Sequence, residues 1–142
     1  MSMIIEAVNK IEQELGVERI LSKLYGLPRL IRECEADAHT RRTLLRDAQA
    51  NLDLESGRLL LEIQAERDPA TGKPAFSNAE ARAAELAKRQ ATDAAYQKAA
   101  DAVRDAENKL SDAELDVQTS RDELTTYRAI AELTVARLRL YA

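Results

Sequence analysis

The sequence predicts an all-α protein: an elongated antiparallel helical hairpin, or coiled coil, with a short N-terminal helix and a tendency to self-associate. Three observations carry this expectation. Only three Pro and four Gly punctuate 142 residues, too few for the turns of a sheet protein. Charged residues reach 32 % and the hydrophobic set 45 %, with 4 % aromatics and no Trp, the balance of long helices rather than of a sandwich, a barrel or a doubly wound sheet. Finally, an uncharged stripe recurs at alternating steps of three and four through the C-terminal half. The length favours a single helical domain spanning 1–142.

The first helix is predicted over about 3–25. Ile4, Val8, Ile11 and Leu15 make a short apolar stripe, which Ile20, Leu21 and Leu24 continue beyond Gly16, a candidate break. Gly26-Leu27-Pro28 then closes this helix and opens the next, because Gly suits a helix end and Pro a first turn. The second helix covers about 28–67, with a stripe of Ile31, Cys34, Ala38, Leu45, Ala48, Leu52, Leu59 and Ile63, interrupted at Arg41 and Glu55. Asp68-Pro69-Ala70-Thr71-Gly72-Lys73-Pro74 is the one cluster of breakers between long periodic stretches, so 68–76 is read as the main turn. Ser77 and Glu80 then have the spacing of a capping box, with Phe76 placed to staple onto Ala81. That opens a third helix over 77–141.

The seam of this helix is Tyr96, Ala99, Val103, Ala106, Leu110, Ala113, Val117, Ser120, Leu124, Tyr127, Ala131, Thr134, Leu138 and Tyr141, and none of these residues is charged. A seven-residue repeat held this long is a coiled-coil signal. The row through Tyr96, Val103, Leu110, Val117, Leu124, Ala131 and Leu138 is mostly large, while Ala99, Ala106, Ala113 and Ser120 are small. Such alternation lets a neighbouring helix approach closely and suits antiparallel packing. Folding symmetrically about Gly72 sets 28–43, with a net charge of +1, opposite 101–116, with a net charge of −4. Leucines outside the seam (Leu30, Leu44, Leu54, Leu60, Leu61, Leu133, Leu140) and Ile130 need a further surface, which a second copy would supply; a homodimer is the expected state.

The net charge of −4 and pI near 5.2 do not suggest bulk attraction to nucleic acid. The N-terminus has no basic n-region, and no stretch is apolar enough for a membrane span, so a cytoplasmic protein is expected. One His and one Cys leave little for metal or thiol chemistry. His39 shares a face with Glu35 but lacks further ligands. Cys34 lies on the apolar stripe and has no base on its face. Gly72-Lys73 lacks the preceding Gly and following Ser or Thr of a phosphate loop. No catalytic, cofactor-binding or metal residues are therefore assigned, and the expected role is non-enzymatic: contact with itself and with an unidentified protein partner. The strongest basic cluster is Arg29, Arg32, Arg41, Arg42 and Arg46. It reads either as a partner for the acidic segment of the last helix or, alternatively, as a contact for a phosphate backbone, joined by Arg128, Arg137 and Arg139 near the C-terminus.

Lys73-Pro74-Ala75-Phe76-Ser77-Asn78-Ala79-Glu80-Ala81-Arg82, followed by Asp93-Ala94-Ala95-Tyr96 and an Ala- and Glu-rich heptad helix, resembles a group of small coiled-coil proteins of bacteriophage and prophage genomes over about 70–142. The resemblance implies a phage-type accessory protein in the bacterial cytoplasm, with no catalytic residues to carry over. In outline the hairpin is also similar to Gam-like proteins that bind DNA ends as dimers, which implies, as the alternative, a nucleic-acid accessory factor of phage recombination or replication.

Overall fold

A computed structural model describes residues 2–141, apart from the side chains of Val8, Ile11, Glu12 and Leu15. Three residues of the predicted N-terminal stripe, Val8, Ile11 and Leu15, thus lie outside the described side chains. Four helices follow one another: α1 (Ser2–Leu15), α2 (Val17–Ala65), α3 (Ala79–Gln90) and α4 (Ala94–Tyr141). The fold is all-α and hairpin-like, with α2 packed against α4. An isolated bridge between Arg67 and Pro74 is the one extended pairing among the described residues.

Two expected boundaries move. The N-terminal break falls at Gly16, whose φ of 63° is a conformation that side chains disfavour. The helix restarts there, with the Ile20 N–H donating to the Gly16 carbonyl at 3.0 Å. Gly26-Leu27-Pro28 is no break at all, since α2 runs through Pro28. Pro28 has no N–H to offer the Leu24 carbonyl, which ordinarily ends or kinks a helix. Tertiary packing overrides that preference. Ile20 and Leu27, one heptad apart, are buried, and between them Lys23 bonds Glu123 of α4 at 2.9 Å and lies over the Tyr127 ring.

The chain divides into two compact units, one of 1–39 with 112–142 and one of 40–111. In the first unit Ala38 packs with Ala113 and Val117, with Cys34 against them. Ser120, Leu124 and Thr134 are also buried there. Both buried hydroxyls are satisfied: Ser120 Oγ lies 4.0 Å from Cys34 Sγ, and Thr134 Oγ1 donates to the Ile130 carbonyl at 2.8 Å. In the second unit the core is Leu59, Ile63 and Ala99, with Tyr96, Val103, Ala106 and Leu110 half-buried. The α4 stripe is thus covered from Tyr96 to Thr134, while Leu138 and Tyr141 at its end are exposed.

The register differs from the symmetric one. Folding about Gly72 would set Lys109 opposite Glu35, but Glu35 pairs with Arg121 at 2.6 Å, twelve residues further on. The charge match between 28–43 and 101–116 therefore does not set the pairing. Exposed ion pairs are worth only about 0.2–1 kcal/mol each, and the fit of the apolar stripes outweighs them.

Burial ranks the leucines. Leu59 is 2 % exposed and Leu133 67 %. Leu59→Ala should cost about 2–5 kcal/mol of unfolding free energy in urea titration, by lost transfer energy and a residual cavity. Leu133→Ala should stay within about 0.5 kcal/mol of the parent.

Candidate interaction surface

The chemistry at the closed end of the second unit begins with a compact turn. Asp68 organises it: its N–H donates to the Lys73 carbonyl and its carbonyl accepts from Gly72, each at 2.8 Å. Its carboxylate accepts the Ala70 N–H at 2.9 Å, an Asx-type turn. Gly72 takes a φ of 70°. The cap of the following helix is Asn78 rather than Ser77, with Asn78 Oδ1 accepting the Ala81 N–H at 2.7 Å. Asn caps as well as Ser, and using it starts the helix one residue later. Phe76 then lies two residues before the cap. The Arg89 guanidinium stands 5.8 Å from its ring centroid, and Arg82 donates to its carbonyl at 3.4 Å.

The third helix, expected unbroken over 77–141, is interrupted at Ala91-Thr92-Asp93. No Gly or Pro marks the place. Asp93 does, by capping α4: its carboxylate accepts the Tyr96 N–H at 2.9 Å. Asp favours a cap over a helix interior because its side chain competes for backbone N–H groups. Thr92 before it and Ala-Ala-Tyr after it are the signal that could have located this start.

Asp93 is also tied to α2. Arg58 donates to Asp93 at 2.6 Å, to Glu55 at 2.8 Å and to Glu62 at 3.0 Å. Glu55, one of the two charged interruptions of the α2 stripe, is thereby answered within its own layer. Beside this group Arg89 bonds Glu66 and Glu85, and Gln90 bonds Ser56 at 3.1 Å. Hydrogen bonds that it donates to Glu55 and then Glu62 hold the Arg58 guanidinium more firmly protonated than usual. Glu66 and Glu85 do the same for Arg89. The Asp93 carboxyl is held below the ordinary carboxylate range, chiefly by the Tyr96 N–H and then by Arg58. This arrangement positions α3 and the start of α4 against α2.

The predicted arginines fall in both units. Arg29 and Arg32 belong to the first unit, and Arg41, Arg42 and Arg46 to the second. Arg29 is held by Glu33 on its own helix at 3.2 Å, while Arg41 and Arg42 each interact within the fold. On the acidic side, Arg104 satisfies Asp101 at 2.9 Å within α4. Among the described residues no group of His, Cys, Asp and Glu is gathered as metal ligands. No helix is long and apolar enough to cross a membrane.

The surface also presents large apolar side chains. On α2 these are Tyr25, Leu30, Leu44, Leu54 and Leu61, and on α4 Leu115, Ile130, Leu133, Leu138 and Leu140; all are exposed. Leu60, also outside the seam, is half-buried. Comparison of the chain with models of protein families, with characterised proteins and with solved structures finds no match.

Asp93 gives a pH test. A carboxyl whose folded pKa is depressed stabilises the fold above its unfolded pKa, and loses that contribution as pH falls through the folded value. Asp93→Asn keeps a competent cap but removes the charge for Arg58. The parent should therefore exceed Asp93→Asn in urea midpoint at pH 7, with the gap closing as the pH is lowered from about 4. Asp93→Ala should fall below both at pH 7, because it loses the cap as well.

Proposed function

We propose that this chain is a non-enzymatic coiled-coil interaction protein, self-associating and docking a protein partner through helix faces and the 68–76 turn. The observation that supports this best is the set of large apolar side chains left outside the seam, with Leu54, Leu61, Leu115, Leu133 and Leu140 all more than 60 % exposed. Apolar side chains that recur at helical spacing and remain wet are the mark of a surface used for contact. The seam spends one face of α2 and one of α4, and these leucines lie on others. The sequence resemblance adds a setting, a phage or prophage accessory factor in a bacterial cytoplasm.

Sedimentation equilibrium tests the self-association. The reading expects a mass rising with concentration towards twice the 15.8 kDa chain mass. A monomer at every concentration would overturn it. The nucleic-acid alternative is tested by a DNA mobility-shift assay across a salt series. The interaction reading expects no complex even at low salt. A complex whose steep salt dependence disappears in Arg41/Arg42/Arg46→Ala would instead support phosphate contacts.

A further inference from the structure

We propose that the outer face of α2 between Ala50 and Leu61 is where a second copy of this chain docks, with the two α2 helices parallel and in register. The proposal rests on the self-association reading above and adds to it a face and a direction. The face lies wholly within the unit of 40–111.

A shallow groove there is lined by Ala50, Asp53, Leu54, Gly57, Arg58 and Leu61 on one side of the helix. Ala50, Leu54, Gly57 and Leu61 are spaced by four, three and four residues, the interval of a coiled-coil seam. They lie about 180° round α2 from Leu52, Glu55 and Leu59, at 100° per residue, so this second stripe is separate from the one that meets α4. Leu54 is 73 % exposed and Leu61 67 %. Gly57 is unfavourable inside a helix, and nothing within the chain calls for it. It is not among the glycines with positive φ, and a Cβ added there would meet no atom within 4 Å. Its use is to an incoming helix. Leu54 of one copy is flanked by Ala50 and Gly57 of the other, and Leu61 by Gly57 on one side, so the helix axes can come close.

Charge selects the occupant and its direction. Asp53 and Arg58 border the stripe on opposite sides, five residues apart. In a parallel two-stranded coiled coil the residue before one core position faces the residue five further on in the partner helix, and such flanking pairs set orientation. Asp53 of each copy then meets Arg58 of the other, twice. Centred antiparallel pairing would bring Asp53 towards Asp53 and Arg58 towards Arg58. Arg58 has donors to spare, since its ion pairs with Glu55, Glu62 and Asp93 use one N–H on each nitrogen of a guanidinium that carries five. Its side chain is 39 % exposed. Asp53 lines the same groove and is exposed, so its carboxylate is open to this contact.

Disulfide trapping tests this in a Cys34→Ala background. Leu54→Cys and Leu61→Cys, made separately and oxidised mildly, should each give a covalent dimer, and Leu133→Cys on α4 should not. Cross-linking at both 54 and 61 requires parallel, in-register helices, because an antiparallel pair can bring at most one of them against itself. Asp53→Lys, which sets like charges together while leaving the apolar stripe intact, should weaken association about tenfold or more, a change of about 1.4 kcal/mol or more. A dimer in sedimentation that fails to cross-link at both positions would overturn the proposal while leaving self-association standing. A monomer at all concentrations would overturn both.

Discussion

Everything else in this molecule depends on covering one uncharged stripe of α4 with one of α2. Long helices in water draw little stability from intrinsic propensity, and hold only where an apolar face is packed. Away from the seam, α4 is charged and wet, with Asp101, Glu107, Asp112, Glu114 and Asp116 all exposed. Within it, small residues meet across the helices: Ala38 packs with Ala113, and Cys34 lies beside Ser120. The ion pairs between α2 and α4, Lys23 with Glu123 and Glu35 with Arg121, are themselves substantially exposed. They bridge the two helices but, at this exposure, add little to what the apolar stripes hold together.

The seam was legible because it obeys a single rule, one uncharged residue every three or four, and that rule does not depend on what lies opposite. The covered part of α4, Tyr96 to Thr134, could be read from the sequence alone for that reason. The register was not legible. Symmetric folding about Gly72 assumes that the chain returns along α2 straight from the turn. Instead Phe76 turns back onto Arg82 and Arg89 of α3, and α4 begins only after the Asp93 cap. Residue counting cannot see such local bonding.

Two other misreadings share a cause. Pro28 carries the strongest local signal against helix in the first half, yet burial of Ile20 and Leu27 with the Lys23–Glu123 bridge keeps α2 continuous through it. Asp93 carries a weak local signal, yet it ends one helix and starts another because its carboxylate serves the Tyr96 N–H and Arg58 at once. In both places tertiary partners decided the outcome against local preference. The same reasoning accounts for Glu55, a charged interruption of the α2 stripe, since it pairs with the Arg58 that also holds Asp93. What packing leaves unused is the wet leucines, and a role in contact is drawn from them.

The most direct test uses Cys34, which the chain already carries. Its Sγ lies 4.0 Å from Ser120 Oγ, so a thiol at 120 needs only a small shift to reach the disulfide separation of about 2.0 Å. Ser120→Cys should close an intramolecular disulfide on oxidation, with the mass of a single chain and no free thiol. Leu110→Cys, the position opposite Cys34 if the hairpin folded symmetrically about Gly72, should not. Closure at 110 and not at 120 would contradict the pairing on which the whole account stands.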